Sequence, residues 1–94
     1  MIVDYADKRT EQFAQGSFVR AFQGFAEQTG RRLAILNAAT SVEDLRNLPS
    51  NRFEALHGGR AGQLSIRVNQ QWRICFKWPT GQNGPGAVEI VDYH

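Results

Sequence analysis

At Arg52 the spacing of the apolar residues changes from the ~3.6 period of a helix to the ~2 period of a strand. This change limits the chain more than any other feature, because a pattern suited to one element exposes its apolar side chains in the other. Before it, Phe18, Phe22, Phe25, Leu33 and Leu36 follow one another at intervals of 4, 3, 8 and 3, with Thr29 filling the register. After it, Leu64, Ile66 and Val68 alternate with Ser65 and Arg67, and Trp72, Ile74, Phe76 and Trp78 alternate with Arg73, Cys75 and Lys77. A run of helices followed by a run of strands predicts an α+β fold of two layers, with the helices packed on one face of a small, mainly antiparallel sheet. The 94 residues are the length of a single domain, expected to span 1–94.

Local signals mark the elements. Asp7 is a cap for a short helix from Lys8 to Gln15, with Gly16 as its stop. Ser17 is a second candidate cap, followed by the longer helix that carries the aromatic stripe Phe18, Phe22 and Phe25, expected to be core. Gly30 lies inside that helix and marks a place where it can break. Ser41-Val42-Glu43-Asp44 has the form of a capping box for one further turn through Leu45, and Leu48-Pro49 closes the helical part. Asn69-Gln70-Gln71 reads as a hairpin turn, and residues 79–86 (PTGQNGPG) as a loop. Residues 87–93 (AVEIVDY) form a last strand. Residues 1–5 (MIVDY) suit an edge strand, and 52–56 supply one more.

Alternation assigns Leu64, Ile66, Val68, Trp72, Ile74 and Phe76 to the face under the helices. Ser65, Arg67, Arg73, Cys75 and Lys77 fall on the other face, which is expected to be open and cationic. The net charge of +2 conceals its distribution: residues 1–44 carry −1, residues 45–78 carry +5 and residues 79–94 carry −2. Nine of the eleven bases are arginine, whose planar fork grips phosphate or carboxylate in bidentate fashion. An arginine-rich stripe suits an anionic partner, nucleic acid first; an ordinary solvated basic surface has the same composition.

The remaining features narrow the class. No apolar run approaches the ~18–20 residues of a membrane span. The first ten residues, MIVDYADKRT, contain early acids and no apolar core, so no secretory leader is expected. One cysteine, Cys75, cannot make an internal disulfide, and in mid-strand it reads as a small packing residue whose burial would raise its pKa. Two histidines and a cysteine at 57, 75 and 94 lack zinc-ligand spacing, and no cofactor motif is present. A small soluble cytoplasmic domain, without metal or cofactor, is the expectation.

The residues able to do chemistry lie in the second half. Asp92-Tyr93-His94 puts an acid, a phenol and an imidazole together at a strand end. Cleavage of a phosphodiester by its own 2′-hydroxyl needs a base for that hydroxyl, an acid for the leaving 5′-oxygen and cations around the crowded phosphate. Asp92, Tyr93 and His94 suit the first two roles and Arg73 or Arg67 the third, although a frayed chain end has the same composition.

Residues 51–63 (NRFEALHGGRAGQ), 64–76 (LSIRVNQQWRICF) and 88–94 (VEIVDYH) closely resemble HigB toxins of the RelE/ParE superfamily, and residues 32–47 (RLAILNAATSVEDLRN) fit as well. The block S-I-x-V-N-x-x-W-R-I-x-F with a closing D-Y-H carries the resemblance. It implies a ribosome-dependent endoribonuclease that cuts mRNA in the ribosomal A site and halts translation in the cytoplasm. The implied partner is a HigA antitoxin, a helix-turn-helix protein that binds the toxin and represses the shared operon, so operator DNA is reached only through it and no membrane is involved. By position, Arg73 would steady the scissile phosphate. Asp92, Tyr93 and His94 would form the catalytic group, with His94 a proton-transfer candidate. Arg60 and Arg67, with Gln71 and Lys77, would hold RNA or the ribosome.

The chain departs from the family pattern in places. Some HigB toxins have a histidine and a lysine where Glu54 and His57 stand, and Gln71 stands where an asparagine can occur. Glu54 is therefore left outside the expected site. His57 is retained in it, either binding phosphate when protonated or acting as the second member of an acid/base pair. Which of Asp92, Tyr93, His94 or His57 is the general base stays open. Two rivals share the fold or the charge: a ParE-like toxin that poisons DNA gyrase, and a non-catalytic RNA- or ribosome-binding module.

Overall fold

The computed structural model describes residues 1–92, so Tyr93 and His94 lie outside the described residues. Asp7 starts α1 (Lys8–Ala14) by accepting a hydrogen bond from the Thr10 amide at 2.8 Å, and Gly16, at φ 95°, turns the chain after it. Thr10 is fully buried and its hydroxyl accepts from the Ile90 amide at 3.1 Å, which ties this helix to the sheet.

The long helix expected from Ser17 divides. Arg20–Phe25 is a 3-10 helix with no side-chain cap, and α2 (Ala26–Ala38) follows from Phe25, whose φ of −142° and ψ of 26° break the helical path. Gly30 lies inside an unbroken α2. The tighter winding has a purpose in packing, because residues three apart line up in a 3-10 helix. Phe22 and Phe25 thus lie 5.9 Å apart, centroid to centroid, and both meet Trp72, Phe22 edge-on at 5.8 Å and Phe25 stacked at 4.8 Å. Phe18 precedes that winding, falls off the stripe and is 74% exposed; it is not core. Ser17 caps nothing.

α3 (Val42–Arg46) begins as the capping motif implies, with Ser41 Oγ accepting from the Asp44 amide at 3.3 Å. The Asp44 carboxylate reaches back to the amide and hydroxyl of Thr40, each at 2.9 Å, and these bonds hold its pKa below the usual carboxylate value. Ser41→Ala should therefore cost about 0.5–2 kcal/mol in a chemical denaturation titration, the typical loss of an N-cap. The contribution of Asp44 has a defined sign. It is present above the unfolded carboxylate pKa and is lost as pH falls through the lower folded value.

The sheet runs β1 (Glu54–Ala55), β2 (Leu64–Arg67), β3 (Trp72–Lys77) and β4 (Gly86–Asp92) in that spatial order, every neighbour antiparallel. The N-terminal segment is not a strand. It lies beside β4 through a single parallel bridge, Tyr5 to Val88, held by hydrogen bonds from the Val3 amide to the Pro85 carbonyl and from the Ala6 amide to the Val88 carbonyl, both 2.9 Å. Loop and N-terminus pass so closely there that a Cβ on Gly84 would overlap the Met1 carbonyl, which is why only glycine fits.

The main core lies between the helices and the sheet. Phe22, Leu33, Leu36 and Leu45 meet Ile66, Ile74, Phe76, Val88 and Ile90, with Trp72 and Trp78 half-buried against them. The other face departs from expectation. Ser65, Cys75, Leu56 and Val91 are buried there, and Leu56, Cys75 and Val91 form a second, smaller cluster. It also carries acids, since Glu54, Ser65, Cys75 and Glu89 lie opposite one another in register across the four strands. The face is therefore part-packed and of mixed charge, because the loop after β1 folds back over it.

Candidate active site

Antiparallel register decides which side chains meet. Arg67 of β2 lies directly opposite Arg73 of β3, and Arg73 lies opposite Val91 of β4. Like charges facing each other across strands are ordinarily unfavourable, by about 0.2–1 kcal/mol. Here each guanidinium is held by acceptors. Arg73 donates from Nε to Ser65 Oγ at 2.8 Å and from Nη2 to the Arg52 carbonyl at 2.5 Å. Arg67 donates from Nε to the Asn69 carbonyl at 3.1 Å. Ser65 is fully buried, so the anchor of Arg73 is rigid.

The hairpin turn supports the same end of the sheet. Asn69 Oδ1 accepts from the amides of both Gln71 and Trp72 at 2.8 Å, an Asx turn that closes the connection in place of a Gly-containing one. Gln71 then donates from Nε2 to Asp92 Oδ2 at 2.8 Å, across to the end of β4. Arg67, Gln71, Arg73 and Asp92 thus lie at one end of the sheet, with Asp92 opposite Trp72 in register and so next to the face that carries Arg73 rather than on it; Tyr93 and His94, outside the described residues, follow Asp92 in sequence. Two contributors carry no signal in the sequence. Ser65 has the pattern of an ordinary outward residue, and the Arg52 carbonyl belongs to a residue at φ 46°, a left-handed backbone that no local signal announces.

The other expected residues are elsewhere. Lys77 is exposed at the opposite end of β3, four residues and about 13 Å of strand from Arg73. His57 is exposed beyond the end of β1, where the register runs toward Leu64 and away from Arg67, and it begins the short 3-10 turn Gly58–Arg60. Arg60 turns back over the sheet, bonding Gln63 Oε1 at 2.9 Å and pairing with Glu89 at 3.4 Å. Its charge is thus partly engaged within the chain. Glu54, left outside the expected site, shares the arginine face: it lies opposite Ser65, the residue that anchors Arg73.

Cys75 is buried at the centre of this face. Burial pushes its thiol pKa up, and Glu89 and Glu54 add to this against the opposing effect of Arg60 and Arg73. A neutral, enclosed thiol is a poor nucleophile. Cys75 should resist a maleimide reagent in the native protein and react at the rate of a free thiol once denaturant unfolds it; fast native labelling would contradict the packing. Among the described residues, no three or more His, Cys, Asp or Glu side chains cluster to hold a metal ion. No helix of the described residues is long and apolar enough to cross a membrane.

Comparison with known proteins identifies the family. Residues 3–94 match the family model of HigB-like toxins, described as the RelE-like toxin of type II toxin–antitoxin system HigB. The chain is 40% identical over 83 residues to the Vibrio cholerae protein Toxin HigB-1, covering 86% of this chain and 87% of that one. It is also 35% identical over 52 residues to an uncharacterized protein of Haemophilus influenzae, covering 55% of this chain and 52% of that one.

Proposed function

Because the chain belongs to the HigB-like family of RelE-like toxins of type II toxin–antitoxin systems, which implies an antitoxin partner, we propose that it is a ribosome-dependent endoribonuclease acting on mRNA in the A site. The carrying observation is the facing pair Arg67 and Arg73, one of them fixed by a buried serine and a carbonyl, at the strand end that leads through Asp92 to Tyr93 and His94.

In this reading residues 1–94 work as one domain in the cytoplasm. The 2′-hydroxyl beside the scissile bond loses its proton to a base drawn from the group Asp92, Tyr93 and His94; His57, at the other end of the sheet from Arg67 and Arg73, is out of reach of that bond. Its oxygen attacks phosphorus, and the 5′-oxygen leaves with a proton from an acid of the same group. The products are a 2′,3′-cyclic phosphate and a free 5′-hydroxyl. As phosphorus becomes five-coordinate, charge grows on its outer oxygens. Arg73 and Arg67 stabilise that charge, Arg73 already being oriented before substrate arrives. Gln71 holds Asp92 and contacts RNA or ribosome together with Arg60 and Lys77. The antitoxin is of the HigA helix-turn-helix kind, and operator DNA is met only through it.

The test compares cleavage of ribosome-bound and free mRNA by the wild-type chain and His94→Ala. The expected result is cuts within the A-site codon on ribosomes only, slowed about 10²-fold or more in the variant, as losses of a general acid or base are. A folded wild type that cuts neither substrate overturns the reading.

A further inference from the structure

Beside the Arg67–Arg73 end of the sheet lies a depression of about 400 Å³ between α2, the turn after α3 and the β2–β3 hairpin. Three arginines line it: Arg32 from α2, Arg52 from the turn and Arg67 from β2. The rest of the lining is neutral, including Gln28, Ser50 and Asn69, and contains no carboxylate. Gathering three cations without a counter-charge opposes folding, so the arrangement suits an anion brought from outside.

We infer that this depression is a second phosphate subsite, which holds a neighbouring phosphodiester of RNA while Arg73 holds the scissile one; the inference rests on the nuclease reading and deepens it. Arg32 is set in place beforehand. Its Nη1 donates to Asn51 Oδ1 at 2.9 Å and to Ser50 Oγ at 3.2 Å, and Asn51 is itself fully buried, with Nδ2 donating to the Leu45 carbonyl at 3.0 Å. Both bonds leave from one nitrogen, so Nε and Nη2 remain for a bidentate grip on a phosphate.

Arg52 links the two subsites. At φ 46° and ψ 49° it occupies a backbone region that glycine or asparagine fills more readily. Its carbonyl accepts from Arg73, and the residue also lines the depression. Arg67 does the same from the other side, facing Arg73 in register and lining the depression as well. One backbone passing over Arg73 would meet the second cluster next.

Arg52→Gly is the sharpest test, because it removes the guanidinium and installs the residue that this backbone favours. Arg32→Gln is a second variant, and Arg20→Gln, an exposed arginine on the 3-10 helix, removes the same charge elsewhere. Binding is measured to a 2′-O-methyl RNA oligonucleotide, which cannot be cleaved, and to vacant ribosomes, across a salt series. The expected result for Arg52→Gly and for Arg32→Gln is a loss of about tenfold in affinity, the scale of a charged hydrogen bond. The log–log salt slope should become shallower by about 0.7 for each single-strand phosphate that the variant no longer neutralises. Arg20→Gln should stay within about twofold of wild type, as expected of a surface charge remote from the bound RNA. Weakening with the oligonucleotide supports a messenger phosphate next to the scissile one, and weakening with ribosomes alone overturns that assignment, since the contact is then to ribosomal RNA. Unchanged binding of Arg52→Gly in both arms overturns the subsite. Since the RNA is uncleavable, binding and cleavage are read separately, so a failure of the subsite and a failure of the nuclease reading give different results.

Discussion

Replacing Arg73 with alanine should slow single-turnover cleavage of ribosome-bound mRNA by about 10²–10³-fold, the usual cost of removing one preorganised donor from a developing oxyanion. The fold should persist. The variant leaves the buried Ser65 hydroxyl without its donor, a loss of about 1–3 kcal/mol, but it also removes a like charge facing Arg67. Arg73→Lys separates charge from geometry. A lysine has one cationic nitrogen and cannot at once serve the Ser65 hydroxyl, the Arg52 carbonyl and a phosphate as a planar fork does. It should therefore recover only a minor part of the rate. A cleavage rate for Arg73→Ala within about threefold of wild type, well short of an oxyanion-donor loss, would remove Arg73 from the mechanism.

Phe22→Ala should be the most damaging single truncation. Phe22 is fully buried and touches Phe13 edge-on at 5.5 Å as well as Phe25 and Trp72. Emptying such a site costs about 3–5 kcal/mol, against a total stability of about 5–15 kcal/mol for a domain. At about 4–8 °C per kcal/mol for a chain of this size, Tm should fall by well over 10 °C or the variant should fail to fold. Phe18→Ala, four residues earlier and 74% exposed, should change stability by no more than about 0.5 kcal/mol. Equal effects in thermal melts of the two variants would contradict the division of the long helix.

This contrast shows where local pattern stops being informative. A spacing of four joins Phe18 to Phe22 in any helical reading, and only the packing against Trp72 selects the tighter winding that leaves Phe18 behind. Cys75 is legible as a small packing residue because it sits mid-strand. Its partners Leu56 and Val91 are not, since they come from other parts of the chain and meet it only once the sheet has formed. Arg60 shows the same limit: nothing near it in sequence announces Glu89, 29 residues away.

The succession of a helical half and a sheet half, the caps at Asp7 and Ser41, the hairpin at Asn69 and the division of β2 and β3 into two faces were determined by the sequence alone. Each depends on interactions within a few residues, or on a period that repeats along one segment. Tertiary structure alone decided that Arg67 faces Arg73, that Ser65 and the Arg52 carbonyl hold Arg73, that His57 and Lys77 lie at the opposite end of the sheet, and that Arg32 and Arg52 gather beside Arg67. The reason is register. Alternation tells which face a side chain takes, but a shift of pairing changes every cross-strand neighbour, and that choice is made by the packing of the whole core.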